Sequence, residues 1–215
     1  MTHDTRERIL AQALGLFAHK GYEGVGVQEV VASAGVTKPT LYHHFQSKLG
    51  LLSTLLEERL APLFAVLEGQ REHGDLAADL LACAESVFAF ATAQPEMYRL
   101  FLSLMFASPD SQHFAVATRH AQRHYRAIRA LFPRWTADDP MAPCGTTPDH
   151  GLAPEICVSL HAALFQGMLH NHVTLFLHGH MSLDAATAQR AVQQFLYGIL
   201  PRGRAVEHGQ GRESC

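Results

Sequence analysis

Residues 35 to 45, GVTKPTLYHHF, concentrate side chains that form directed hydrogen bonds. Two threonine hydroxyls, a tyrosine phenol, a lysine and two imidazoles occur together, and such groups bond phosphate oxygens and the edges of bases. Pro39 adds a rigid apolar edge that can lie against a thymine methyl group. The stretch therefore suggests a surface that contacts nucleic acid, although its composition also fits a polar helix on the outside of a helical bundle.

Histidines are a second group of residues that could do chemistry, and the chain has 15 of them. His120 and His124 lie one helical turn apart, as Cys157 and His161 would, and such pairs can chelate zinc or nickel. Further close pairs are His170/His172 and His178/His180. The pairs fall in separate segments and the sequence fixes no carboxylate beside them, so we predict no metal site. A metal-responsive protein is the alternative interpretation.

Motifs typical of enzymes do not occur in the sequence. It contains no GxSxG, no HExxH and no glycine-rich loop that would cradle phosphates. Its four cysteines are scattered without CxxC spacing, which argues against a zinc finger and against a disulfide framework. We therefore predict neither catalysis nor a cofactor.

The overall charge gives no sign that the whole protein surface attracts nucleic acid. The formal net charge is -3, with 47% hydrophobic and 17% charged residues, so any DNA-binding surface must be local. The N-terminus is polar, and no apolar run approaches the roughly 20 residues needed to span a bilayer. We expect a cytoplasmic protein with no membrane partner.

Hydrophobic spacing predicts an all-α fold, because apolar residues recur at helical intervals and no segment alternates as a strand would. A first helix is expected over residues 6–19, and a short second helix ends at Gly35. Thr37 is a good N-cap for a short third helix, whose buried side consists of Leu41 and Phe45. Its polar side chains are then turned outward.

Longer helices are expected in the rest of the chain. The fourth begins at Ser47 and is expected to bend near Pro62. Prolines separate the later helices. These helices are expected over about 75–93, 95–107, 110–132, 154–178 and 183–200. A mobile loop is predicted over 133–153 and a disordered tail over 201–215.

Two short helices joined by a glycine turn, with a first helix across them, form a helix-turn-helix. The segment GYEGVGVQEVVASAGVTKPTLYHHFQSKLGLL resembles the DNA-binding signature of the TetR (tetracycline-repressor-like) family of bacterial transcription regulators. The resemblance implies an N-terminal DNA-binding domain followed by a larger helical domain that dimerises and holds a ligand. We expect the DNA-binding domain over residues 1–47, the second domain over 48–200 and the tail over 201–215.

The resemblance also implies which residues meet DNA. Carried over by position, they are Gln28, Lys38, Pro39, Thr40, Tyr42, His44 and Lys48. The outward side of the third helix adds Thr37 and His43. Tyr42, His44 and Lys48 suit phosphates. The residues better placed to read bases are Gln28, Lys38, Pro39 and Thr40, and Lys38 is a candidate for guanine.

Two positions depart from the family's pattern. Gly26-Val27 stands where many relatives have a threonine that opens the second helix and holds a phosphate. Leu49-Gly50 replaces a common acidic residue after Lys48, which we expect to weaken the start of the fourth helix.

The second domain is rich in aromatic residues and methionine, as in the segment PEMYRLFLSLMF. An aromatic stripe at helical spacing also fits ordinary core packing, but these side chains suit an adaptable pocket for an apolar ligand. The candidate ligand-binding residues are Phe64, Met97, Phe101, Met105, Tyr125, Phe165, Met168 and His172.

The last two predicted helices, 154–178 and 183–200, are apolar on more than one side and must be buried on both faces. A symmetric interface with a second copy would bury the outer face. Together with the resemblance to the TetR family, this pattern predicts a homodimeric, cytoplasmic repressor that a small, largely apolar ligand releases from a palindromic operator. A ligand-independent activator is a further alternative.

Overall fold

The protein is described from a computed structural model over residues 2–69, 75–132 and 154–198, within which it is helical and contains no strand. The loop predicted over 133–153 and the tail predicted from residue 201 lie outside the described residues. The helices are α1 (Thr2–Lys20), α2 (Val27–Ala34), α3 (Lys38–Phe45), α4 (Lys48–Gly69), α5 (Leu76–Ala93), α6 (Pro95–Met105), α7 (Phe114–Arg129), α8 (Pro154–Leu177) and α9 (Ala185–Tyr197).

The all-α prediction is confirmed, and each predicted helix is present with shifted ends. α1 begins at Thr2 rather than near residue 6, and α7 begins at Phe114 rather than near residue 110. The second shift arises because the segment around Pro109 forms turns, in which the Ser111 N–H donates to the Ser108 carbonyl at 2.9 Å.

The turn between α2 and α3 depends on Gly35. This residue adopts φ 61° and ψ 41°, the left-handed conformation that ends many helices and that glycine reaches without a steric penalty. The Val36 N–H donates to the Val31 carbonyl at 3.0 Å, and the Arg8 guanidinium Nε donates to the Ala34 carbonyl at 2.9 Å. The last carbonyls of α2 are thereby satisfied, and α1 is tied to the end of α2.

Ser47 caps the start of α4, which has no acidic residue in its first turn. The Gly50 N–H donates to the Ser47 hydroxyl at 2.9 Å. Gly50 also lies so close to α3 that an added Cβ would sit 2.1 Å from the Phe45 carbonyl oxygen. The glycine therefore sets the close approach of α3 to α4. α4 then continues through Pro62 as one helix.

One hydrophobic core joins the first helices to the second domain. Buried side chains of α1 to α4 belong to the same cluster as Met97, Leu100 and Leu104 of α6. Ion pairs reinforce this packing: the Arg6 Nη1 and Glu58 Oε2 atoms lie 3.0 Å apart, and Arg59 pairs with Glu7. A second core unites α5, α8 and α9 with parts of α4, α6 and α7.

α5 is, within the described ranges, the one helix long and apolar enough to cross a membrane by length and composition alone. It lies in the second core, where Leu80, Cys83 and Val87 are fully buried. A core helix of a folded domain passes the same test, and the burial of α5 against its neighbours identifies it as one. Cys83 is a free thiol, whereas Cys157 is disulfide-bonded, which the cysteine spacing did not predict.

Candidate nucleic-acid interface

Helix α3 is held by two inward side chains and presents its polar side to solvent. Leu41 is fully buried and Phe45 is 4% exposed, whereas Tyr42 between them is 45% exposed. Thr37, Lys38, Pro39 and His43 are exposed, and Thr40 and His44 are half-buried. Because the buried pair lies four residues apart on a helix of eight residues, the remaining positions form one outward surface.

The first turn of α3 is fixed by its own hydroxyls. The Thr37 Oγ1 atom accepts a long hydrogen bond from the Thr40 N–H at 3.4 Å and lies 2.9 Å from the Thr40 hydroxyl oxygen. Pro39 lies in the same turn, where its missing N–H breaks no intrahelical bond. The side chains of Lys38, Pro39 and Thr40 therefore project in defined directions from a rigid first turn.

Lys48 lies at the α3–α4 junction with its charge over an aromatic ring. Its Nζ atom is 4.0 Å from the centroid of the Tyr22 ring, a cation–π contact. Burial lowers the pKa of Lys48, and the nearby Glu23 carboxylate acts in the opposite direction. The ring contact holds the ammonium group over Tyr22, in the loop between α1 and α2.

Helix α2 carries Gln28 in its first turn, where the side chain is exposed. Gly26 occupies the N-cap and provides no side-chain hydrogen bond, so the departure from the family's threonine leaves the first N–H groups of α2 without a cap. The exposed Ser33 hydroxyl donates to the Gln12 Oε1 atom at 2.6 Å and adds a second link between α2 and α1.

The predicted DNA-contacting residues of α3 thus share one outward surface, Gln28 is exposed on α2, and Lys48 lies where α4 begins. Two cations, Lys38 and Lys48, accompany the hydroxyls and imidazoles there. Glu29, an acid on α2, is paired with Lys20. The arrangement can offer hydrogen bonds and positive charge to a phosphate backbone and to base edges.

The predicted ligand-binding residues do not come together at one place. Phe64, Met97 and Phe101 are buried in the first core, and Met105 is half-buried against it. Phe165 belongs to the second core, with its ring centroid 5.1 Å from that of Phe195.

The other predicted ligand residues lie nearer the surface. The Tyr125 hydroxyl donates to the Ser159 carbonyl at 3.0 Å. Met168 and His172 line an open groove between α8 and α9. The predicted ligand-binding residues lie at separate places because sequence spacing determines on which face of its own helix a residue lies, but not which helices pack against each other.

Sequence reasoning missed a group of buried polar side chains beside Phe64 and Phe101. Tyr98, His120, His124 and His170 lie there on α6, α7 and α8. The spacing of His120 and His124 suggested only metal chelation, and nothing in the sequence linked them to His170. In the part of the chain that the structure describes, no three His, Cys, Asp or Glu side chains are placed to hold a metal ion.

Comparisons with known proteins agree with this geometry. The family model described as bacterial regulatory proteins of the tetR family matches residues 9–55, which include α2, α3 and the start of α4. The transcriptional repressor BdcR of Escherichia coli is 35% identical over 134 residues, covering 54% of this chain and 68% of that protein.

A relative with the opposite regulatory sign is also similar. The transcriptional activator FasR of Mycolicibacterium smegmatis is 35% identical over 98 residues, and the match covers 45% of each chain, less than half the length of that relative. Among solved structures, FadR of Bacillus subtilis in complex with stearoyl-CoA has a TM-score of 0.67 at 17% identity, over 90% of this chain and 99% of that one. At this identity the structural likeness shows the fold alone.

The helix-turn-helix geometry, the match to the family model and the similarity to BdcR lead to one conclusion. This chain belongs to the TetR family of bacterial DNA-binding transcriptional regulators.

Proposed function

We propose that the protein is a homodimeric repressor that binds a palindromic operator in the cytoplasm and leaves it when a small, largely apolar effector binds. The observation that carries the proposal is the outward polar side of α3, held in place by Leu41 and Phe45. We assign DNA contact to the residues on this side and at its junctions with α2 and α4. These residues are Gln28, Thr37, Lys38, Pro39, Thr40, Tyr42, His43, His44 and Lys48.

A second copy is the partner that fits the exposed side of α8. Ile156, Leu160, Leu164 and Leu175 are each about half exposed, although large apolar side chains are usually buried. Gly167 lies exposed among them, and its small size lets another helix approach closely.

The geometry of a palindromic operator is the reason for proposing a two-fold symmetric dimer. Two recognition helices must lie about 34–36 Å apart to enter successive major grooves of a palindromic site. A symmetric pairing through α8 and α9 would cover the apolar stripe and supply the second α3.

Helices α4 and α6 are the routes by which an effector would act on the DNA-binding helices. α4 contacts α3 at Gly50 and reaches the second domain's aromatic interior at Phe64, about 21 Å further along at 1.5 Å per residue. α6 carries Phe101 in that interior and packs on α1 through the shared core. A displacement of either helix would change the distance between the two copies of α3.

We propose a largely apolar effector because the interior around Phe64 and Phe101 is aromatic. The same fold in FadR was solved with stearoyl-CoA, so this architecture can take an apolar chain. To invert a population from 1:99 to 99:1, an effector must prefer the released state by about 5.5 kcal/mol.

The test begins with selection of the operator from random duplex DNA, followed by fluorescence anisotropy with the full chain. We expect a palindromic motif and an affinity that falls steeply with salt, with a log–log slope of several units. A reporter gene behind the selected operator should be repressed by the protein; activation would instead give it the regulatory sign of FasR. Absence of salt-dependent binding to any duplex would contradict the proposal.

A further inference from the structure

Three side chains from separate parts of the chain meet beside the start of α4, and we call them the Lys48 cluster. Tyr22 lies in the loop between α1 and α2, Lys48 begins α4, and His113 directly precedes α7. Tyr22 and His113 are each 6% exposed, whereas Lys48 is half-buried. The cluster therefore joins the DNA-binding helices to α7.

The Tyr22 ring contacts both other members of the Lys48 cluster. The Lys48 Nζ atom lies 4.0 Å from its centroid, and the His113 ring centroid lies 4.8 Å from it. Phe17 of α1 packs on the same ring, with the two centroids 5.3 Å apart. A buried ring that is packed in this way has one defined position, so the ammonium group held on it has a defined position as well.

The ring attracts the ammonium group of Lys48 without neutralising its charge. Burial is the main cause that raises the pKa of the Tyr22 phenol to about 12, so the ring is uncharged at physiological pH. Lys20 shows the contrast, because its ammonium group is paired with the Glu29 carboxylate. Among the described residues no carboxylate is paired with Lys48. Its positive charge therefore remains for a phosphate.

His113 makes two contacts that substitutions can separate. One is the ring contact with Tyr22, at an interplanar angle of 54°. The other is with Glu23, whose Oε1 atom lies 3.0 Å from the His113 Nδ1 atom, although the two atoms lack the geometry of a hydrogen bond. A phenylalanine at position 113 would keep the first contact and lose the second.

A lysine that is already ordered binds phosphate at a lower entropic cost than a free one. Lysine is among the most flexible side chains, and ordering it consumes part of the affinity that its contact provides. The Tyr22 ring orders Lys48 in the free protein. Because phosphate contacts carry no sequence information, the gain should apply to every operator alike.

Helix α7 connects the Lys48 cluster with the aromatic interior of the second domain. Val116 and Ala117, at its start, belong to the same core as Tyr22. His124 lies about 16 Å further along α7 than His113 at 1.5 Å per residue, with its ring centroid 5.7 Å from that of Phe101. A displacement of α7 would therefore reach the Tyr22 ring.

We propose that Tyr22 is the positioning residue for the phosphate contact of Lys48, and that His113 holds the Tyr22 ring in place. The proposal deepens the proposed function and rests on its assignment of Lys48 to DNA. It adds α7 to α4 and α6 as a route by which the second domain acts on the DNA-contacting residues.

The first measurement is the NMR signal of the Lys48 ε-methylene group in the full chain labelled with carbon-13 lysine. The lysines of the chain are Lys20, Lys38 and Lys48, and the spectrum of Lys48→Ala identifies the signal. Protons over the face of an aromatic ring shift upfield. The Lys48 signal should therefore lie upfield of the other two and lose this shift in Tyr22→Leu. A Lys48 signal without the shift would overturn the proposal.

The same signal in the complex with the operator selected from random DNA distinguishes positioning from simple packing. The upfield shift should persist in the complex, because the ring holds the ammonium group while it contacts the phosphate. Loss of the shift on binding would show that Lys48 leaves Tyr22 to reach DNA, and would overturn the proposal. These wild-type spectra decide the question even if Tyr22→Leu fails to fold.

A double-mutant cycle measures the coupling by fluorescence anisotropy. Tyr22→Phe keeps a ring for the ammonium group and should bind the operator as tightly as the wild type. Tyr22→Leu should weaken binding about fivefold when Lys48 is present and have no further effect in Lys48→Ala. An equal loss in both backgrounds would show that Tyr22 supports only the fold.

Substitutions of His113 test its ring in the same way. His113→Ala should weaken operator binding about threefold, again only when Lys48 is present, whereas His113→Phe should keep the wild-type affinity. His180→Ala, at an exposed position, is the control and should leave the affinity unchanged. Equal losses in the Phe and Ala variants would assign the effect to the Glu23 contact and overturn the role of the ring.

The outcomes separate this proposal from the proposed function. If Lys48→Ala weakens operator binding and Tyr22→Leu and His113→Ala do not, the phosphate contact stands and only the positioning role is overturned. If Lys48→Ala binds like the wild type, the phosphate contact and the positioning role both fail. Repression of the reporter gene would uphold the rest of the proposed function in either case.

Discussion

At the residue scale, the residues to which we assign DNA contact offer groups for two kinds of contact. Tyr42 and Lys48 suit phosphates, because one ends in a phenol and the other in an ammonium group held over Tyr22. Lys38 leaves the first turn of α3, where a recognition helix meets base edges. Affinity and sequence preference should therefore respond to different substitutions.

Tyr42→Phe and Lys48→Ala should each weaken binding to all operators by a similar factor. Each removes a charge-assisted hydrogen bond to phosphate, worth about 1–3 kcal/mol. Lys48→Ala should also reduce the salt slope by about one unit. Anisotropy titrations against the selected operator and its point variants measure both; a change in base preference would refute the phosphate assignment.

Lys38→Ala should instead relax the preference at one base pair of each half-site. A lysine that contacts guanine in the major groove contributes about 1–3 kcal/mol of discrimination. Selection from random DNA with the variant measures this change. An equal loss on every sequence would place Lys38 on the backbone.

At the element scale, the angle between α3 and α4 is set by a contact that leaves no room for a side chain. Gln46 ends α3 with a positive φ of 64°, and its N–H donates to the Tyr42 carbonyl at 2.9 Å. Gly50 then passes against the Phe45 carbonyl. Neither Gln46 nor Gly50 is among the residues to which we assign DNA contact, yet both orient α3 relative to α4.

Gly50→Ala should force α3 and α4 apart and lower operator affinity at least tenfold, with about 1–3 kcal/mol less unfolding free energy, typical of overpacking. Gly69→Ala in the same helix is the matched control, because an added Cβ there meets nothing within 4 Å. Anisotropy and chemical denaturation measure the two effects. Full operator affinity in the Gly50 variant would contradict this role for the contact.

At the scale of the whole molecule, the apolar stripe of α8 predicts the oligomeric state. Leu164 is 55% exposed and lies three residues from Gly167. Leu164→Glu would bury a charge in the proposed interface, so the variant should be a monomer by analytical ultracentrifugation and bind the operator poorly. Val66→Glu is the control: Val66 is exposed on α4, so this variant should keep the molecular mass of the wild-type protein in solution. Leu102→Glu is unsuitable as a control, because Leu102 is partly buried in the second core.

The buried histidines predict how stability depends on pH. The folded-state pKa values of His124 and His170, about 3 and about 4, lie below the value of 6.5 expected in the unfolded chain. The unfolded state therefore binds more protons below pH 6.5, so stability is full above that pH and falls as pH decreases toward 4. Each histidine contributes a loss of about 1.4 kcal/mol per pH unit.

Chemical denaturation between pH 7.5 and 4.5 checks this dependence. His170→Phe should flatten the curve, whereas the exposed His180→Phe should not. A wild-type unfolding free energy that is constant across this range would contradict the burial of neutral histidines.

The sequence by itself determined the helices, the helix-turn-helix and the side of α3 that faces outward. These features are local: Leu41 and Phe45 define a buried face by their spacing, and Thr37 and Gly35 mark the adjacent helix ends through backbone chemistry. Each of these features depends only on residues that lie close together along the chain, so the sequence is enough to predict it.

Only the tertiary structure decided what lies in the interior of the second domain. His170 meets His124 because α7 and α8 pack together, although 46 positions separate the two residues in sequence. Because of the same packing, the predicted ligand-binding residues lie at separate places, and His172 lies in the open groove between α8 and α9. Helical periodicity fixes the face on which a side chain lies, whereas the choice of facing helix depends on how all the helices fill the core together.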